Sequence, residues 1–194
     1  MKQSKEIAGI LLAAGSSSRF GSNKLLQPLA NNKTLAVSAA INLKNTVANV
    51  IAVVRPKDSE LIDAFSQLNL KVVVNERADE GMSSSLISGI QASGQSAGWI
   101  IALADMPWVK PETINTLKEQ LLNGETMVAP VYQGRRGNPV GFSAKWKNTL
   151  LELEGDKGAR DLLINHSEEL YTFDTDDQGV AMDVDFPADI NNQK

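Results

Sequence analysis

With 194 residues, a formal net charge of −4, no cysteine and a single histidine, this chain has the size of one domain built on one core. Without cysteine there are no disulfides and no thiolate metal site, and one histidine is too few for a multi-histidine zinc site. The negative balance argues against nucleic acid or an anionic membrane as main partner, no apolar run reaches membrane-spanning length, and the start MKQSKEIAG lacks the apolar core of a signal peptide, so a cytoplasmic protein is expected.

In chain order, the apolar run at 7–13 reads as a buried strand and residues 34–44 as a helix with Thr34 as its N-cap. Residues 50–54 read as a second buried strand. At 58–68, Leu61, Ile62, Phe65 and Leu68 recur at helical spacing. A third strand at 70–74, a helix rich in small residues at 83–92 and a fourth strand at 98–104 follow. The next helix, 111–122, opens on Pro111 and carries Ile114, Leu117 and Leu121 on one face. Strands at 126–130 and 140–143, a short helix at 159–165 and edge strands at 170–175 and 180–184 complete the series, with 191–194 frayed. Strands alternating with helices, without repeat or linker, predict a single domain over 1–194 with a three-layer α/β/α fold and a mostly parallel sheet. In such sheets ligands bind outside the carboxyl ends of the strands. The segments after each strand are therefore where chemistry is sought.

The first of these is the most informative. Residues 10–29 read ILLAAGSSSRFGSNKLLQPL. Gly15, three serines and Gly21 let backbone N–H groups approach phosphate oxygens closely, serine hydroxyls add donors, and Arg19 and Lys24 neutralise charge. A routine Gly/Ser connector is the competing reading. The spacing excludes the G-x-x-x-x-G-K-[ST] phosphate loop, and no G-x-G-x-x-G occurs.

Leu12, Ala13, Ala14 and Gly15, then Ser17, Arg19, Gly21 and the run Asn23, Lys24, Leu25, Leu26, resemble the signature loop of MobA-like nucleotidyltransferases. The Leu-Ala-Ala-Gly opening with Asn-Lys-Leu-Leu is similar to the molybdenum cofactor cytidylyltransferase (MocA-type) branch; the guanylyltransferase branch usually reads Leu-Ala-Gly-Gly with Asp-Lys. The resemblance implies a nucleotide-diphospho-sugar transferase-like fold, and Mg²⁺-dependent transfer of CMP from CTP to molybdopterin-bound molybdenum cofactor with release of pyrophosphate. It also implies delivery to a molybdoenzyme or its chaperone, with Lys24 and Arg19 on the triphosphate. GTP, or another phosphorylated acceptor, is the alternative within the class. A non-catalytic nucleotide sensor is the alternative outside it.

Later segments extend the resemblance. After the third strand, Asn75 and the run Gly81, Met82, Ser83, Ser84 match the part of the family that holds base and ribose, though a serine-capped helix start explains them equally. After the fourth strand, Asp105 in Ala-Asp-Met-Pro matches the family's metal-binding Ala-Asp-x-Pro; by itself it would read as a turn-capping Asp. Arg135, Arg136 and Asn138 lie in a segment similar to the family's acceptor-side Arg-Gly-x-Pro, and guanidinium suits a pterin phosphate. Arg160, in Gly-Asp-Lys-Gly-Ala-Arg, reads either as a contact to acceptor or pyrophosphate or as an ion-pair partner of Asp156 or Asp161. Near the end, Asp183 and Asp185 resemble the family's Asp-Ile-Asp, with Phe186 where threonine is usual; Asp185 is the expected second metal ligand, the competing reading being that Asp189 caps a last turn and the other two are solvated. His166 matches no motif.

Overall fold

Alternation along the strands sorts the apolar side chains onto two faces of one sheet. In the computed structural model, which describes residues 6–15, 20, 23–156 and 158–191, β1 (Ile7–Leu12) sends Ile7 and Leu11 into one buried cluster and Ala8, Ile10 and Leu12 into another. β2 (Asn49–Val54) divides Val50, Ala52 and Val54 from Ile51 and Val53 in the same way. With both faces covered, these strands read as unbroken apolar runs.

The helices close the two faces. α1 (Leu35–Lys44) and α2 (Ser59–Gln67) cover the first with Ala36, Ala40, Leu43, Leu61 and Phe65. Between β3 (Lys71–Val74) and β4 (Gly98–Leu103) runs α3 (Met82–Ala92), which covers the second face with Leu86 and Ile90. α4 (Pro111–Leu122) returns to the first face through Ile114, Leu117 and Leu121. Then come β5 (Met127–Tyr132), the short β6 (Arg135–Arg136) and β7 (Val140–Ser143). α5 (Lys147–Leu151) and α6 (Arg160–Asn165) complete the second face with Leu150, Leu162 and Leu163. β8 (Leu170–Asp174) and α7 (Pro187–Asn191) end the described chain. Thr34 caps α1 as expected, its hydroxyl accepting from the Val37 amide at 3.3 Å.

The strand order is β3-β2-β1-β4-β7-β5-β6, with β8 alongside β5. β1 to β4 run parallel, β7 lies antiparallel between β4 and β5, and β8 is again parallel to β5. The chain winds outward from β1 through β2 and β3, then crosses back to place β4 on the other side of β1. A crevice opens at such a reversal, outside the carboxyl ends of the two strands. Among the described residues no helix is long and apolar enough to cross a membrane.

The segment 180–184, expected as an edge strand, is none: residues 178–181 form a single 3₁₀ turn. Gly179 passes so close to the Trp108 carbonyl that a β-carbon there would sit 2.3 Å from its oxygen. The backbone is satisfied across the fold instead of along a sheet edge. Asn138 donates to the Val180 carbonyl at 2.9 Å, and the Val184 amide to the Asp105 carbonyl at 3.0 Å. Buried Asp177 anchors the crossing. Its carboxylate accepts from the Lys110 amide at 2.8 Å, the Thr113 hydroxyl at 2.7 Å and the Gly179 amide at 3.0 Å. Asp177→Ala should therefore destabilise the protein by about 2–4 kcal/mol in denaturant titrations, because it strands buried donors at the start of α4 and in the crossing segment. Asp177→Asn, which keeps the shape, should lose less.

Candidate active site

Lys24 sits on a one-turn 3₁₀ helix, Lys24–Leu26, at the mouth of the crevice. Leu25 plugs the turn into the core, while Asn23 caps it by accepting from the Leu25 amide at 3.1 Å. The same Asn23 side chain donates to the Asp58 carboxylate at 3.1 Å, tying the turn to the start of α2. So held, the Lys24 ammonium donates to three oxygens: Asp105 at 2.8 Å, the Val184 carbonyl at 2.7 Å and Asp185 at 3.2 Å. Asp105 follows β4, and the Val184 amide bond to its carbonyl brings Asp185 beside it. Burial works against the ammonium's charge, but the hydrogen bond and charge of Asp105, then those of Asp185, outweigh it and hold Lys24 above the ordinary lysine pKa.

Lys24 and Asp105 line a cavity of about 480 Å³ that also takes in Leu12 at the end of β1, Ala14 and Gly15 after it, and Gly81, Met82 and Ser85 at the start of α3. Gly81 has φ +109°, and a β-carbon there would meet the Gly155 carbonyl carbon at 2.5 Å. This close approach lets the 155–156 loop lie on the α3 N-terminus, where the Ser83 amide donates to the Gly155 carbonyl at 3.0 Å. Ala13 faces the other way, into the core. Asn75 is buried behind the cavity wall, donating to the Ser84 and Ser85 hydroxyls at 2.9 and 3.0 Å. The Ser84 hydroxyl donates to the Arg77 and Gly81 carbonyls, and Ser83 is buried as well. Asn75 and Ser84 thus brace the turn that carries Gly81. Ser17 and Arg19 lie outside the described residues.

Arg55 was missed in the sequence. It stands directly after β2, and its guanidinium lines the cavity, donating to the Ala14 carbonyl at 2.6 Å and to Asp79 at 2.8 Å. A strand-end position was the only available signal, since no motif surrounds it.

A second cavity of about 580 Å³ shares Leu12, Met82, Leu103 and Asp156 with the first. Arg136, Asn138 and Arg160 line it together with apolar Leu86, Ile101 and Leu163. Arg135 does not, because neighbouring strand residues point to opposite faces. No carboxylate pairs with Arg160 among the described residues. Partial burial, and then the like charge of Arg160, lower the Arg136 pKa. Two facing cations with apolar surroundings suit an anionic, ring-bearing ligand. Asp189 caps the last turn, accepting from the Asp185 and Phe186 amides at 2.9 and 2.7 Å. His166 packs edge-on against Trp146, with ring centroids 4.8 Å apart.

Residues 9–170 match the model of the MobA-like NTP transferase domain. The purine catabolism protein PucB of Bacillus subtilis is 30% identical over 200 residues, spanning 96% of this chain and 95% of that protein. A probable molybdenum cofactor guanylyltransferase of Thermococcus sibiricus is 28% identical over 74% of this chain and 64% of its own length. Among solved structures, the complex of Rv0371c from Mycobacterium tuberculosis with manganese superposes with a TM-score of 0.80 at 25% identity, covering 96% of both chains.

The Asn23 pairing can be tested by charge. Asn23→Asp should cost about 1.5–3 kcal/mol of stability at neutral pH, since the donor to Asp58 is replaced by a second carboxylate. Adding Asp58→Asn should restore most of it. Lowering the pH through the carboxylate range should shrink the penalty of the single variant, in thermal melts compared across pH.

Proposed function

The chain belongs to the MobA-like NTP transferase family, and from that premise we propose that it transfers CMP from CTP to molybdopterin-bound molybdenum cofactor, releasing pyrophosphate. That it is a nucleotidyltransferase follows from the family. The observation that carries the finer reading is the pair of adjoining cavities. One holds Lys24, Asp105 and Ala14; the other holds Arg136 and Arg160.

In this reading Gly15 and Lys24 hold the triphosphate, and Ser17 and Arg19, outside the described residues, are expected to join them. The acceptor phosphate, held by Arg136 and Arg160 with Asn138 beside them, faces the α-phosphorus. Its oxygen forms the new P–O bond in line as the α–β bridging bond breaks, and pyrophosphate leaves with the electron pair. The nucleophile is already anionic, so no general base is needed, and catalysis rests on positioning and charge. The Lys24 ammonium offsets negative charge building on the departing phosphates.

Asp105, Asp185 and the Val184 carbonyl offer oxygens to one cationic position. That is a hard-cation donor set and fits Mg²⁺, which keeps few protein ligands beside substrate oxygens. Bound there, Mg²⁺ would neutralise and orient phosphate oxygens. Asp105→Asn should lower turnover by orders of magnitude with the melting temperature nearly kept, and near-normal turnover would remove Asp105 from this role.

The base preference rests on Ala14. Its methyl lines the first cavity where the guanine-specific branch carries glycine, and the smaller pyrimidine tolerates it better. One methyl contributes about 1–3 kcal/mol, so CTP should win by about 10–100-fold. CTP and GTP offered together with the acceptor, with products weighed by mass spectrometry, decide the matter, and Ala14→Gly should narrow the ratio. The Thermococcus relative favours the GTP reading; a guanylylated product in excess would establish it.

Arg136→Ala should raise the acceptor KM about tenfold or more and leave the nucleotide KM nearly unchanged, as one charge-assisted contact is worth about 1.5–3 kcal/mol. Arg135→Ala should change neither.

A further inference from the structure

The oxygens proposed to take the metal already hold a cation. The Lys24 ammonium lies 2.8 Å from Asp105, 2.7 Å from the Val184 carbonyl and 3.2 Å from Asp185. A divalent ion accepting these oxygens and an ammonium donating to them exclude each other. They would compete for the same lone pairs, and like charges would meet in a half-buried site. Resting on the metal reading above, we propose that Lys24 is a placeholder cation, which keeps free divalent metal out and yields its place when the nucleotide triphosphate arrives.

Charge and reach both support this exchange. Lys24 offsets one of the two carboxylate charges of Asp105 and Asp185, so the site is less negative than its acids alone would make it. A metal entering alone would push the ammonium off Asp105, Asp185 and the Val184 carbonyl, in a pocket where its side chain is only 11% exposed. A metal arriving with a triphosphate brings the missing oxygens. The ammonium would pass to phosphate oxygens, leaving Asp105 and Asp185 to hold the metal. A flexible four-carbon stem allows the transfer without backbone movement. Lys24 also lines the cavity, so its new partners lie within its own pocket. The turn that carries it is anchored independently, through Leu25 in the core and Asn23 on Asp58. The head group can therefore change partners while the turn stays in place.

The consequence is a sign that runs against intuition: removing a residue needed for turnover should strengthen binding of the bare metal. The probe is Mn²⁺, titrated without nucleotide and read as free Mn²⁺ by electron paramagnetic resonance. Lys24→Ala and the closer-sized Lys24→Gln should bind Mn²⁺ at least tenfold more tightly than the wild-type chain. Mn²⁺ should also raise their melting temperatures more than that of the wild type. Combining either with Asp105→Asn should abolish the gain. If neither Lys24 variant gains affinity while Asp105→Asn still weakens Mn²⁺ binding to the CTP complex, the placeholder role is wrong and the metal reading stands. If Asp105→Asn leaves Mn²⁺ binding to the CTP complex unchanged, the metal reading fails and the inference falls with it.

Discussion

The Lys24 ammonium is the point on which the site closes. It is bound by oxygens from residues 105, 184 and 185, which lie far from it along the chain. Half-burying three charges is tolerable only because each has its partner, and each partner must be delivered to within about 3 Å. Much of the fold serves that delivery. β1 and β4 lie side by side, so the turn after one and the aspartate after the other meet at the same end of the sheet. The crossing segment after β8, pinned by Asp177 and threaded past Trp108 through Gly179, carries Asp185 to the remaining side.

Two kinds of rigidity surround this flexible cation. Around the first cavity, the Asn75–Ser84–Ser85 network and the Gly81 approach to Gly155 set the start of α3 against the 155–156 loop. Arg55 adds a further tie, joining the Ala14 carbonyl to Asp79 just before Gly81. Polar residues bonded to one another in this way fix the shape of the wall. In the second cavity Arg136 donates to the Leu163 carbonyl at 3.3 Å and shares the lining with Arg160, whose like charge it feels. Like charges left facing are costly unless an anion relieves them, which is why that cavity reads as a place for one.

The sheet was legible because strands buried on both faces leave unbroken apolar runs, and the helices because Leu61 with Phe65, and Ile114 with Leu117 and Leu121, repeat at helical spacing. Short pieces were not. β6, α5 and α7 span few residues and have no period to detect. The strand expected at 180–184 failed for a different reason. Its Val-rich spacing is met by packing across the fold, and its backbone bonds go to Asp105 and Asn138 instead of a neighbouring strand. In the loops, Asp105 was singled out where motif and strand-end position agreed, and Lys24 and Asp185 by motif, since no strand forms before Asp185. Arg55 had position alone, and Asp177 had neither.

What the sequence determined by itself was therefore the layered α/β fold, the family and several of the segments that line the two cavities, since these depend on local periodicity and on short motifs at strand ends. Only the tertiary structure decided which side chains share a charge. That Asn23 answers to Asp58, that Arg136 and not Arg135 faces Arg160, and that Lys24 rests between two aspartates are matters of a few ångströms across a folded chain. Hydrogen bonds and ion pairs act over those distances, and spacing along the chain does not encode them.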